Sequence, residues 1–145
     1  MRECISLLNS IHPSIQVTGD IPANYDDKCL RTLDLRVWIR EIQEEINKIA
    51  TSHCMKDVST RAVISSRSSH PIRMKKSAMM NKVMRILGNW NQLCPQEIVL
   101  RHISYFLKRL QFSGYDQEFR HEIVTKAIRK QKIKFTERIE NQHQS

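Results

Sequence analysis

Ser68, Ser69 and His70 stand side by side, the residue types of a nucleophile and its base. A working pair also needs a third group to orient the histidine and an oxyanion hole. The chain has no Gly-x-Ser-x-Gly turn to supply one, so hydrolysis is not expected. Asp34 is a lone carboxylate, and one carboxylate does not hold two magnesium ions. Zinc needs four ligands in paired spacing. Here Cys4, Cys29, Cys54 and Cys94 form no Cys-x-x-Cys pair, and His53-Cys54 is the one close His/Cys pair. Adjacent strand residues point to opposite faces, so no metal site is expected. The four cysteines read as buried free thiols of an intracellular, reducing compartment. His102 and His121 read as packed or surface side chains rather than ligands. No P-loop or dinucleotide fingerprint occurs, so no cofactor is expected.

The remaining chemistry is charge. The chain has 145 residues and a formal net charge of +9. Residues 1–57 hold seven Lys/Arg and nine Asp/Glu, and residues 97–145 hold ten and six. Residues 58–96 hold Arg61, Arg67, Arg73, Lys75, Lys76, Lys82 and Arg85 and no carboxylate at all. Those cations find partners elsewhere in the fold or face a polyanion. Phosphate backbones are the usual polyanion, because Lys/Arg contacts to them supply most sequence-independent affinity. A solvated basic face and an acidic membrane surface are the other readings of the same composition. No stretch is long and apolar enough to span a membrane, and no signal peptide is recognised.

The elements that must position these residues follow from periodicity. Residues 2–9 read as a short helix ended before His12-Pro13. Ile15–Thr18 alternates and is β-branched, which predicts a strand. Residues 19–27 are rich in turn formers. Leu33–Ile39 alternates apolar with polar residues. As a strand it places Leu33, Leu35, Val37 and Ile39 on one face and Asp34, Arg36 and Trp38 on the other. Trp38 stacks on a base or sugar, or lies under the connector. Residues 40–47 read as a connector or helical insertion, 48–55 as a second strand of a hairpin, and 57–72 as an irregular serine-rich connector.

From Ser77 the period becomes helical. Met79, Met80, Val83, Ile86, Leu87 and Trp90 form one stripe, weakened at Gly88. Ile98, Val99, Ile103, Phe106, Leu107 and Leu110 form a second, opened by Pro95 and stopped at Gly114. Phe119, Ile123, Val124, Ala127 and Ile128 form a third, capped by Asp116, with fraying expected near residue 135.

Three stretches in this order resemble the reverse transcriptases of retroelements, Penelope-like and related. Leu8-Asn9-Ser10-Ile11-His12-Pro13-Ser14-Ile15-Gln16-Val17-Thr18 is similar to the segment after the catalytic hairpin. Leu30-Arg31-Thr32-Leu33-Asp34-Leu35-Arg36-Val37-Trp38-Ile39 is similar to the family's next strand. Lys76-Ser77-Ala78-Met79 and Leu110-Gln111-Phe112-Ser113-Gly114-Tyr115 resemble the start of its thumb and a helix-end turn. The resemblance spans about residues 5–130 and implies the end of the palm followed by the thumb. Such a polymerase uses magnesium held by paired aspartates, and those lie upstream of the matching stretch. Tyr25-Asp26-Asp27 lacks the residue that separates tyrosine from the aspartates in the family's motif, and it reads as a turn. Lys28-Cys29-Leu30-Arg31, Thr32 and Cys54-Met55-Lys56-Asp57 also depart from the family pattern.

The expectation is therefore an α+β chain: a palm-remnant β region over 1–57, a basic connector over 58–75 and a helical thumb-like region over 76–145. It would lack catalytic residues. It would grip duplex nucleic acid or an RNA–DNA hybrid through Arg61, Arg67, Arg73, Lys75, Lys76, Lys82 and Arg85, without a membrane, and could associate through an exposed sheet edge. One alternative is a helix-turn-helix DNA-binding module over 96–112 and 116–131, presenting Arg120, Lys126, Arg129 and Lys130. Another is a helical protein-interaction scaffold.

Overall fold

The computed structural model describes residues 2–14, 16–43, 46–55 and 62–143, with side chains described for these except 2, 43, 46 and 134–143. It is α+β: a three-stranded antiparallel sheet followed by helices. Helix α1 spans Arg2–Asn9, and Leu7 and Ile11 on it and just after it are exposed. Residues 16–18 are not a strand. The Val17 carbonyl accepts from Asn9 Nδ2 at 3.1 Å and the Val17 N–H donates to Asn9 Oδ1 at 2.5 Å, so a side chain has taken the groups a ladder needs. Ile15, the first residue of the predicted strand, lies outside the described residues.

The sheet is β1 (Leu30–Thr32), β2 (Leu35–Gln43) and β3 (Ile46–His53), in that order. Leu33 and Asp34 belong to the turn between β1 and β2 rather than to a strand, and Leu33 takes a φ of +52°. A branched side chain rarely adopts that conformation. Leu33 accordingly points to solvent, 75% exposed.

β2 and β3 pair from Leu35↔His53 through Glu41↔Asn47, with a register shift between Glu41 and Gln43. Most of the predicted connector at 40–47 is thus hairpin. Its alternation is illegible because Arg40, Glu41 and Ile42 are all exposed, and no burial pattern is imposed there. The packed face carries Ala50 and Ser52, both buried, opposite Trp38 and Arg36. The apolar pair Ile39↔Ile49 faces outward, 62% and 61% exposed.

Helix α2 spans Ile72–Gly88. It begins five residues before Ser77, because Pro71 opens it and its carbonyl accepts from both Met74 N and Lys75 N. Helix α3 spans Gln96–Phe112 after Pro95. Gly114 then takes a φ of +87°, the left-handed stop. Helix α4 spans Gln117–His143, and Asp116 Oδ1 accepts from Phe119 N at 2.7 Å as its cap. It runs past residue 135, since no Gly or Pro follows Gly114 and the residues there are good helix formers.

The core lies between the three helices. Met79, Val83 and Ile86 of α2 meet Val99, Ile103, Phe106 and Leu110 of α3, and Ile123 and Ala127 of α4. Each of these Met, Val, Ile, Phe and Leu side chains, fully buried, contributes about 1.5–3 kcal/mol. Lys76 pairs with Glu122 and Gly88 lies against Gln131, so α2 and α4 run side by side in the same direction. Val63 and Ile64 of the connector pack on this core, and Tyr115 Oη donates to the Ile64 carbonyl at 2.8 Å. Of the cysteines, Cys29 and Cys94 are buried and Cys54 is half-buried, but Cys4 is exposed, because it lies on the loosely packed α1.

Candidate functional site

The seven cations singled out by composition do not act as a set. Arg61 lies outside the described residues. Lys75 is buried at 5% exposure, and its Nζ donates to the Ser66 carbonyl at 2.8 Å and the Ser68 carbonyl at 2.7 Å. Both bonds hold the loop before α2 onto its first turns. Lys75 is therefore unavailable to a phosphate, a role hidden because two backbone oxygens, not a carboxylate, receive it.

Lys82 Nζ stands 3.2 Å from Nε2 of the buried His53, and Arg85 Nη2 stands 2.6 Å from Asp34 Oδ2. These two join α2 to the sheet. Burial first, then the neighbouring Arg85, pushes the Lys82 amine below its ordinary range.

The exposed cations form a different group. Lys76 Nζ and Lys126 Nζ reach opposite oxygens of Glu122, at 2.6 and 2.5 Å. Hydrogen bonds from Lys126 and then Lys76 hold that carboxyl at about 2. Arg73 lines the same groove between α2 and α4, which has a volume of about 230 Å³. Arg67 sits on the loop that Lys75 anchors. Three cations thus surround one carboxylate, with Arg67 on the anchored loop. Sequence places Lys126 in the helix-turn-helix alternative only. Its membership follows from α4 lying beside α2, a packing that periodicity does not reveal. Arg120 of that alternative is spent locally, with Nε on the Asp116 carbonyl and Nη1 on Gln111 Oε1.

Trp38 is half-buried, with the Arg36 guanidinium 5.6 Å from its ring centre, so a cation already occupies that approach. The outer edge of β3 is also partly taken. Thr51 N donates to Asn91 Oδ1 at 3.2 Å, Asn91 N to the Thr51 carbonyl at 3.3 Å, and Asn91 Nδ2 to the Ile49 carbonyl at 2.9 Å. The open edge that would recruit another chain is closed at this point by a side chain imitating a strand.

A second, larger cavity of about 330 Å³ lies between α2, α3, the end of β3 and Val63-Ile64. Composition offered no signal for it. His102, Tyr105, Phe106 and Arg109 reach it from one stripe of α3, and Lys82 and Met79 from α2. His53 and His102 meet edge to face, 5.4 Å between ring centres. Burial, then Lys82, lowers the His53 pKa to about 4. Burial, then Arg101, lowers that of His102. Both shifts favour the neutral ring.

Among the described residues no cluster of His, Cys, Asp and Glu could hold a metal ion, and no helix is long and apolar enough to cross a membrane. Comparison with protein-family models, with curated proteins and with solved structures finds no match to this chain.

Proposed function

We propose that the chain is a catalytically incomplete fragment of a retroelement reverse transcriptase that keeps a sequence-independent hold on duplex nucleic acid or an RNA–DNA hybrid. The origin rests on the sequence resemblance, with a sheet followed by helices as the resemblance implies. The binding rests on one observation: Arg73, Lys76 and Lys126 ring a single carboxylate, Glu122, where α2 and α4 lie side by side. Such a patch keeps a net positive charge, and Arg67 is a further cation on the loop that Lys75 anchors at the start of α2. Flexible cations set around a groove suit phosphate oxygens along a backbone rather than base edges. The protein is not expected to extend a primer by itself, because the paired aspartates of such polymerases lie upstream of the stretches that this sequence resembles.

The test is a salt series with a labelled duplex and a labelled hybrid, read by fluorescence anisotropy. Affinity should fall steeply with salt. Replacing Arg67, Arg73 and Lys126 by glutamine should reduce the log–log slope by about 0.9 for each phosphate that is no longer neutralised. Salt-independent binding, or none, would leave the protein-interaction scaffold. A strong preference for one duplex sequence would favour the helix-turn-helix reading.

A further inference from the structure

The cavity lined by α3 and α2 is chemically unlike the Glu122 groove. Its walls at Met79, Ile86 and Phe106 are apolar, and its polar groups are the side chains of Lys82, Arg109, Tyr105 and two histidines. Among the described residues no carboxylate lines it. Arg109 Nη1 donates to Tyr105 Oη at 3.4 Å, while Arg109 Nε is buried with no hydrogen-bond partner among the described residues. The hydrogen-bond partner of Lys82 is a ring nitrogen of His53, which carries no negative charge. Two cations therefore border one concave space, and among the described residues each meets a neutral hydrogen-bond partner there rather than an anion. Removing a cation from water without a counter-charge is costly. An oxyanion between them would supply both the charge and the missing acceptor for Arg109.

We propose that this cavity binds a small organic anion, an oxyanion carried on an apolar body. The oxyanion would be held by Lys82 and Arg109, and the body would lie against Met79, Ile86 and Phe106. Volume supports this: the cavity is within the usual range of small-ligand sites, whose walls are mostly apolar with a few converging polar groups. The proposal does not depend on nucleic-acid binding, since no residue of this cavity belongs to the groove around Glu122.

The experiment titrates the full chain with benzoate, with benzyl alcohol as its uncharged counterpart and with inorganic phosphate, following amide and side-chain NMR signals. Benzoate should shift the signals of Phe106 and His102, and benzyl alcohol should bind at least about tenfold more weakly, the loss of one charge-assisted hydrogen bond. Arg109→Gln should weaken benzoate about tenfold at unchanged far-UV circular dichroism. Arg101→Gln, on the exposed face of the same helix, should leave it unchanged. Lys82→Met is a second test of the same kind, and if it unfolds the protein the Arg109 and benzyl alcohol comparisons still decide. Equal binding of benzoate and benzyl alcohol, or an unaffected Arg109→Gln variant, would overturn the oxyanion. Phosphate binding as tightly as benzoate would overturn the apolar body. Displacement of benzoate by duplex DNA would overturn the separateness of the two sites.

Discussion

Arg85 Nη2 lies 2.6 Å from Asp34 Oδ2, so an ion pair ties the second helix to the turn between β1 and β2. The same turn is held by its main chain: the Asp34 carbonyl accepts from Asn89 Nδ2 at 2.9 Å and from Cys54 N at 2.8 Å. The two kinds of contact differ in worth. The Arg85 side chain is 63% exposed, and exposed pairs contribute at most about 1 kcal/mol. The carbonyl bond from Asn89 is half-buried, and a bond of that kind contributes about 0.5–1.5 kcal/mol even though Cys54 N still pairs the carbonyl when it is lost. Arg85→Gln should therefore lower stability by less than about 1 kcal/mol, and Asn89→Ala by more. Urea unfolding of both variants checks the order. Equal losses would show that the ion pair, not the carbonyl bond, sets the turn.

Lys75 separates structure from binding. Lys75→Met keeps the aliphatic stem and removes the donor to the Ser66 and Ser68 carbonyls. Stability should fall by about 1–3 kcal/mol, while duplex affinity and its salt slope stay at the wild-type value. A flattened slope in anisotropy, at a folded circular dichroism spectrum, would mean that the buried ammonium reaches phosphate after all.

The α-helical stripes are readable in the sequence because each helix buries one face: Met79, Val83 and Ile86 recur at the helical spacing and meet the core of α3 and α4. Gly114 and Asp116 are readable because their roles are local, a positive φ and a cap. The sheet is harder. Its packed face carries small Ala50 and polar Ser52, while the Ile39↔Ile49 pair looks outward, so the alternation is visible but not which side it buries. Val17 loses its strand to the Asn9 side chain, a tertiary choice that β propensity does not encode. The candidate site is hidden for the same reason. Which cation meets a carboxylate, a carbonyl or a histidine depends on the parallel packing of α2 and α4, not on charge density along the chain.

Gly114 predicts a two-part cost. Its φ is +87°, and a Cβ there would stand too close to Ser66 Oγ, within normal contact of Ser66 Cβ. Gly114→Ala should destabilise by about 1–2 kcal/mol from backbone strain alone, with the contact adding to it. In a Ser66→Ala background the contact part disappears and the strain remains. A double-mutant cycle by thermal unfolding should thus give a coupling that is favourable but smaller than the whole loss.

Asn91 acts at the edge of β3 through three hydrogen bonds to Ile49 and Thr51. Asn91→Ala deletes the two side-chain bonds and reopens the strand. A loss of about 1–2 kcal/mol is expected. Because an open edge pairs with other chains, light scattering should show concentration-dependent association that wild type lacks. Loss of stability without association would mean that the neighbouring surface alone protects the edge.

Acid should unfold the protein in two steps whose signs agree. His53 has a folded pKa of about 4 against an ordinary 6.5, because burial and then Lys82 oppose its charged form. The unfolded chain therefore binds the extra proton first, and the stability present above about 6.5 is lost as pH falls toward 4. Glu122 is depressed from 4.5 to about 2 by its two lysines. Its contribution is present above about 4.5 and is lost as pH falls toward 2. The upper step belongs to the histidine and the lower to the carboxylate, so single substitutions separate them. His53→Gln should flatten the stability profile between pH 6.5 and 4, apart from the smaller slope due to His102. Glu122→Gln should leave that region intact and flatten the profile below it. Urea midpoints measured across pH for the three proteins test this, and an unchanged upper step in His53→Gln would show that the folded pKa of His53 is not lowered.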